Sequence, residues 1–319
     1  MGIIESAKQL CLERDAFKCI TCGSSDNINA VKLTNRYGEI SWHLSNLITL
    51  CDDCYAKKIV LEGNEDKGLL GVLLCGGKGS RLYPITKYCS KHLLPIGLVA
   101  MSVYPIRTLQ KMGIKRVVIV IDQASYNITD VLGSGKAFGM EFSYKVQDGA
   151  FGIADALSLA KNNARPNDKI VCILGDNIFD NESLKLPENN NACVWLKEVD
   201  NPQAYGIATI ENNKVVKIVE KPDNPETNLA VVGLYMYPYE VFDVISEIEP
   251  SERGELEIST VNQIFAEKDK LDYQIVKGYW GDAGGSLQRY AECSMYGAKH
   301  SKISAQEIDN FRSIVFDDK

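Results

Sequence analysis

No apolar run in this 319-residue sequence approaches the roughly 20 residues needed to cross a bilayer, and the longest, such as Val117–Ile121, fall far short. Nothing at the N-terminus reads as a secretory leader, so a soluble cytoplasmic protein is the expectation. Positive charge is not in excess: 35 Lys and Arg against 42 Asp and Glu leave a net charge of −7. An acidic surface does not attract a polyanion, which argues against a general nucleic-acid or membrane-surface role. Any phosphate chemistry must therefore use a locally basic site. Internal repeats and low-complexity tracts are absent, and histidine is scarce, with three in the chain. A hydrophobic fraction of 45% and a charged fraction of 24% are otherwise ordinary for a globular chain.

Cysteine, by contrast, is plentiful. Of ten, six are scattered singly (Cys11, Cys75, Cys89, Cys172, Cys193 and Cys293), while four form the pairs Cys19-x-x-Cys22 and Cys51-x-x-Cys54. Single thiols within apolar segments fit a reducing compartment, and the duplicated pairs then point to metal rather than disulfides. Four thiolates suit a closed tetrahedral site, so Cys19, Cys22, Cys51 and Cys54 are expected to hold one structural Zn2+. Residues 1–66 form this expected small module, and the polar, glycine-flanked stretch Glu62–Gly68 reads as a linker.

From residue 69 to 319 the pattern becomes one of apolar strands alternating with amphipathic helices. Strands are expected at Leu69–Cys75, Arg116–Asp122, Glu141–Gln147, Lys169–Leu174, Ala192–Glu198, Lys214–Val219, Ala230–Tyr237 and Tyr273–Lys277. Helices are expected at Tyr104–Met112, Ile153–Asn162, Tyr239–Ile248, Glu257–Glu267 and Ser286–Ala298. This alternation predicts an α/β fold with a mostly parallel, doubly wound sheet, whose ligands collect beyond the carboxyl ends of its strands.

The first of these strands runs into Leu74-Cys75-Gly76-Gly77-Lys78-Gly79-Ser80-Arg81-Leu82. Gly76, Gly77 and Gly79 let the backbone approach a ligand and aim amides at anionic oxygens, and Arg81, Lys87, Lys91 and His92 follow closely. The spacing fits neither a P-loop nor a dinucleotide fingerprint. Asp176 follows the apolar run Lys169–Leu174, and Asp282 follows another strand; each alone reads equally as a presented carboxylate or a turn residue.

The run LCGGKGSRLYPITKYCSKHLLPI resembles the signature of sugar nucleotidyltransferases, which reads approximately GGxGTRLxPxTxxxxKxLLP. Further blocks follow in the family's order: LGDNIF at 174–179, AYGIATI at 204–210, VEKP at 219–222, VVGLYMYP at 231–238, RGELEIS at 253–259 and YWGDAGG at 279–285. Within the family the chain most resembles the glucose-1-phosphate thymidylyltransferases. The resemblance implies a Rossmann-like doubly wound mixed sheet. It also implies attack of a sugar 1-phosphate on the α-phosphorus of a nucleoside triphosphate, with release of pyrophosphate.

By the same resemblance, Asp176 and Asp282 hold Mg2+, and Arg81, Lys91 and Lys221 are the catalytic cations. Leu74, Gly76, Gly77, Gly79, Ser80, Gln147 and Gly152 bind the nucleotide. Tyr205, Gly206, Glu220, Lys221, Gly233 and Arg253 bind the sugar phosphate, although Arg253 beside Glu255 and Glu257 also reads as a local ion pair. The amide of Gln147 offers a donor and an acceptor, which suits the N3–H and O4 of thymine or uracil, so dTTP or UTP is favoured. The sequence departs from the family at Ser80, at Val99-Ala100-Met101, at Asp155 where many members carry glutamine, and at Ala283-Gly284-Gly285 where two hydroxyls are lost.

The segments ERDAFKCITCG and NLITLCDDCYAKK resemble the zinc frame of HNH nucleases. That chemistry needs histidines, yet Val31-Lys32 and Tyr55 occupy their places and His43 is the module's only one. Residues 1–67 carry eight Lys or Arg and ten Asp or Glu, which is not the charge of a nucleic-acid module. A structural or protein-contact role is expected instead. A homo-oligomer is left open, as is the alternative that the whole chain is a non-catalytic scaffold on a nucleotidyltransferase fold.

Overall fold

The structure, a computed structural model, describes residues 68–300 apart from 124 and 181–183. Within the first 67 residues it describes positions 12–13, 17–18 and 25–26 and the backbone of two strands. The chain divides into two compact units, Met1–Lys67 and Gly68–Lys319. In the first, β1 (Ile28–Lys32) and β2 (Leu47–Cys51) pair antiparallel, with Ile28 opposite Cys51. Cys19, Cys22 and Cys54 lie outside the described residues, and Cys51 is described only as the last backbone position of β2.

In chain order, the second unit begins with β3 (Leu69–Cys75), β4 (Pro95–Ile96), β5 (Val99–Ala100), α1 (Val103–Lys111), β6 (Arg116–Asp122), α2 (Ile128–Leu132), β7 (Glu141–Gln147) and α3 (Ile153–Ser158). Next come β8 (Lys169–Leu174), β9 (Asn177–Phe179), β10 (Ala192–Glu198), β11 (Gly206–Glu211), β12 (Lys214–Glu220) and β13 (Leu229–Pro238). The unit continues with α4 (Val241–Glu247), α5 (Ile258–Glu267), β14 (Leu271–Ile275), β15 (Trp280–Asp282) and α6 (Leu287–His300).

Every residue of β3 is buried, because β3 lies between β8 and β6, parallel to both, in a nine-stranded sheet ordered β12-β11-β13-β8-β3-β6-β7. Strand β10 pairs antiparallel with β13 and parallel with β14. Successive strand residues face opposite sides, so Leu70, Val72 and Leu74 pack with α3, α4 and α5 while Leu69, Leu73 and Cys75 pack with α1 and α2. Two apolar layers therefore sandwich the sheet, which explains why the strand reads as continuously apolar rather than alternating. A third cluster, including Leu82, Ile96, Ile178, Ala283 and Cys293, joins α6 to the turns after β3 and to β15.

The sheet is doubly wound and mixed. The run β8-β3-β6-β7 is parallel, but β13 pairs antiparallel with both β8 and β10, so the sheet is less parallel than strand–helix alternation suggested. The helix expected over Ile153–Asn162 stops at Ser158 and gives way to a 3-10 turn, Lys161–Asn163. β11 was not foreseen, nor was the short ladder of β9 with β15, in which Asp282 stands opposite Asn177. Asp282 is therefore the last residue of a strand and not a turn residue following one. Ladders of three residues are too short to show a period in sequence. Among the described residues, no helix is long and apolar enough to cross a membrane.

Candidate active site

Beyond the carboxyl ends of β3, β6, β7 and β8 lies a cavity of about 650 Å3. Leu74, Gly76, Gly77, Lys91, Gln147, Gly152 and Asp176 line it, so parallel strands deliver residues far apart in sequence to one place. The glycine loop is tied down at two points. The Gly77 amide donates to Asp122 Oδ2 at 2.9 Å, and the Thr86 hydroxyl donates to the Gly79 carbonyl oxygen at 2.7 Å. Gly79, in the left-handed region at φ 60°, opens the 3-10 turn Ser80–Leu82, where Ser80 and Arg81 are exposed.

Lys91 begins the 3-10 turn Lys91–Leu93 and sends its ammonium 2.5 Å from Asp176 Oδ2. The other oxygen of Asp176 accepts from Asn177 Nδ2 at 3.0 Å. Burial alone would lower the Lys91 pKa, but the charges of Asp176 and Asp282 outweigh it and hold the ammonium form. Burial likewise opposes ionisation of Asp176, yet Lys91 and these hydrogen bonds keep its carboxyl well below the usual carboxylate range.

The β9–β15 ladder brings Asp282 to this pair, and the Ala283 amide donates to the Asp176 carbonyl oxygen at 2.9 Å. Burial, and then the negative charge of Asp176, push the Asp282 carboxyl up to about 6 against Lys91, Arg289 and Arg81. Both carboxylates offer oxygen donors, which would suit a hard cation such as Mg2+. Gly284 keeps this corner open, since a Cβ there would strike Asp176 Oδ2 and lie 3.0 Å from Lys91 Nζ. Among the described residues, no group of three or more His, Cys, Asp or Glu is placed to hold a metal.

Asn177 extends the site. Its Oδ1 accepts from the Gly233 amide at 3.1 Å and from the Trp280 indole N–H at 2.7 Å. Trp280 meets Tyr205 edge-on at 5.5 Å, and the Arg289 guanidinium lies 5.3 Å from the centre of the Tyr205 ring. Tyr205 passes the connection on, because its carbonyl oxygen accepts from the Lys221 amide at 2.9 Å. Gly206 faces Glu220 across the β11–β12 ladder.

Glu220, Lys221 and Arg253 line a second cavity of about 510 Å3. Lys221 adopts φ 43°, a left-handed conformation uncommon outside glycine, and its ammonium lies 3.3 Å from Glu220. Arg253 is held by carboxylates, at 2.9 Å from Glu255, 3.4 Å from Glu257 and 3.9 Å from Glu220. The local ion pair read from sequence is therefore present. The structure thus gathers Leu74, Gly76, Gly77, Lys91, Gln147, Gly152 and Asp176 around one cavity and Glu220, Lys221 and Arg253 around another. Tyr205, Gly206, Gly233 and Asp282 lie along the connection between them. Gly79, Ser80 and Arg81 stand beside the first cavity without lining it, although the charge of Arg81 reaches Lys91 and Asp282.

Sequence reasoning missed Asn177, Trp280 and Arg289. The first two sit inside the LGDN and YWGD blocks and could have been found there. Arg289, in the first turn of α6, carries no local signal.

The family model for nucleotidyl transferases matches residues 70–299. The low-salt glycan biosynthesis nucleotidyltransferase Agl11 of Haloferax volcanii is 39% identical over 222 residues, covering 67% of this chain and 62% of that protein. The glucose-1-phosphate thymidylyltransferase of Neisseria meningitidis is 37% identical over 226 residues, covering 67% of this chain and 77% of that one. Among solved structures, a candidate glucose-1-phosphate thymidylyltransferase of Bacillus anthracis in complex with sucrose superposes with a TM-score of 0.68 at 37% identity. That match covers 75% of this chain and 99% of the other. A UDP-glucose pyrophosphorylase complexed with UDP-glucose, 23% identical with a TM-score of 0.60, covers 72% of this chain and 98% of its own and speaks to the fold alone.

Proposed function

The chain belongs to the nucleotidyl transferase family, and from that premise we propose that it transfers a nucleoside monophosphate from a nucleoside triphosphate to a sugar 1-phosphate. A phosphate oxygen of the sugar 1-phosphate bonds to the α-phosphorus, the bond from that phosphorus to the bridging oxygen of the β-phosphate breaks, and pyrophosphate leaves with the electron pair. Two anions must meet, so positioning and charge neutralisation carry the reaction and no covalent protein nucleophile is needed.

The observation that carries this reading is the Lys91–Asp176 pair at 2.5 Å, set in the cavity beside the glycine loop with Asp282 brought alongside by the β9–β15 ladder. Asp176 and Asp282 would hold Mg2+, which when bound neutralises charge on the phosphate oxygens. Lys91 and Arg81 supply fixed positive charge on the triphosphate side, and amides of the Gly76–Gly79 loop face its oxygens. Gln147 and Gly152 meet the base, with dTTP or UTP favoured. Tyr205, Gly206, Glu220 and Gly233 form the sugar pocket, with Lys221 and Arg253 toward the sugar phosphate. Arg253 must then exchange a carboxylate partner for the phosphate. A scaffold without catalysis is the weaker reading, because carboxylates and cations both stand in place.

The domains follow the same division: a transferase over 69–319, and over 1–66 a module holding one Zn2+ through Cys19, Cys22, Cys51 and Cys54. The zinc reading rests on the two cysteine pairs alone. The decisive test is pyrophosphate release by the full chain with Mg2+, across the common triphosphates and a panel of sugar 1-phosphates. Product with dTTP or UTP is the expected result, and no product with any combination returns the chain to the scaffold reading.

A further inference from the structure

Gln147 ends β7 at the wall of the first cavity. Its side-chain nitrogen donates twice, to the Gly152 carbonyl oxygen at 3.1 Å and to Asp155 Oδ2 at 2.7 Å. Both partners are acceptors, since a carbonyl oxygen carries no proton and a carboxylate accepts without donating. Only one orientation of the amide makes these bonds. Turned over, it would set Oε1 against two oxygens and leave three acceptors with no donor among them.

The geometry around the pair is rigid. Gly152 sits at φ 101°, and a Cβ on it would strike the Leu256 carbonyl oxygen, while Asp155 is carried in the first turn of α3. The Gly152 carbonyl oxygen also accepts from the Ala156 amide at 3.2 Å. Gln147 Oε1 is left facing the glycine loop, 3.6 Å from where a Cβ on Gly76 would stand, and both residues line the cavity. The sequence reading gave both halves of this amide to the base. The structure commits the donor half to Asp155 and Gly152, leaving an acceptor alone.

We infer that Asp155 is a specificity-determining positioning residue, which holds the Gln147 amide so that the cavity takes a base carrying an N–H donor opposite Oε1 and rejects one with a lone pair there. The inference rests on the nucleotide reading above and deepens it. Uracil and thymine present an imide N–H at that edge, whereas the N3 of cytosine is an acceptor. To bind cytosine through N3, Gln147 would have to turn over against Asp155, and an acceptor facing an acceptor in this half-buried site is costly. Asparagine at position 155 can donate as well as accept, so it removes the carboxylate's share of the constraint, leaving that of the Gly152 carbonyl oxygen, while keeping the shape.

The test is equilibrium binding to the full-length chain with Mg2+ and no sugar phosphate, so that no turnover is required. Three probes are compared: UTP, CTP, and the triphosphate of the pyrimidin-2-one nucleoside, whose N3 is an acceptor and which has no 4-substituent. Wild type should bind UTP tighter than either of the others by about tenfold or more. Asp155→Asn should narrow the UTP-to-CTP ratio by about tenfold or more, a change that loss of packing alone would not produce. An unchanged ratio in folded Asp155→Asn overturns the inference. Equal wild-type binding of UTP and the pyrimidin-2-one analogue also overturns it, and that arm needs no variant. Wild type that binds no nucleotide at all would sink the nucleotide reading and the inference with it.

Discussion

The ammonium of Lys91 lies 2.5 Å from Oδ2 of Asp176, although 85 residues separate the two in sequence. A 3-10 turn supplies the cation and the turn between β8 and β9 supplies the anion, so the pair records how the segment after the glycine loop folds back over the sheet. Each partner holds the other ionised in a site whose burial opposes both charges.

Removing any member of this cluster should act on chemistry, and Lys91→Ala, which leaves the buried Asp176 charge without its partner, should cost stability as well. Asp176→Asn, Asp282→Asn and Lys91→Ala are each expected to cut turnover by ~10²-fold or more, the scale of losing one preorganised electrostatic group. Steady-state pyrophosphate release at saturating substrates measures this, with melting temperature as the control. Near-wild-type turnover in Asp282→Asn, with Mg2+ still required, would remove Asp282 from the metal site.

Asn177 connects both parts of the site. Asn177→Ala takes a donor from Asp176 and leaves the Gly233 amide and the Trp280 indole without their shared acceptor. Each buried polar group left unmet costs about 1–3 kcal/mol. Urea unfolding should show a loss in that range or above, together with a fall in turnover. Unchanged stability would mean that water replaces the amide.

Acid should destabilise the protein through His92. Burial, reinforced by the neighbouring Lys91 charge, lowers its pKa from 6.5 to about 3, with Ser90 Oγ 3.3 Å from Nδ1. The folded value lies below the unfolded one, so between them the unfolded chain binds the extra proton. The stability is fully present above pH 6.5 and falls as pH drops toward 3. Between pH 8 and pH 5.5 the loss from one such group is about 1.4 kcal/mol. His92→Asn should flatten the pH dependence of the unfolding free energy, measured in urea, by that amount. Asp282, held up to about 6, titrates in the same window with the opposite sign, and comparing His92→Asn with wild type cancels its contribution. Identical slopes for the two proteins would contradict the assignment.

The cysteine pairs carry a prediction of their own. Metal analysis of the full chain should find about one zinc, lost when either pair is changed to serine, because four thiolates complete a tetrahedral shell. Zinc-free protein with an intact melting transition would be falsifying. Residues 69–319 alone should retain transferase activity, and plasmid incubated with the full chain should remain uncut.

Much of this protein was legible in the linear sequence because the signals are local. The run Leu69–Cys75 reads as a buried strand since every residue is apolar, and Gly76, Gly77 and Gly79 read as an anion loop since backbone amides need room to approach a ligand. Helices α1 and α5 announce themselves through their apolar spacing, each within one residue of its expected limits. What tertiary structure alone decided are relationships among residues distant in sequence. The ladder of β9 with β15 joins Asp176 to Asp282 across three residues on each strand, too few for a periodic signal. Trp280 and Gly233 share one oxygen of Asn177 only because three separate segments converge there. Gln147 and Asp155 lie eight residues apart. Even so, the direction in which the amide points depends on the partners that the turn between β7 and α3 brings to it. Residue types set which groups could ionise, donate or accept, and the packing of the sheet decided which of them meet.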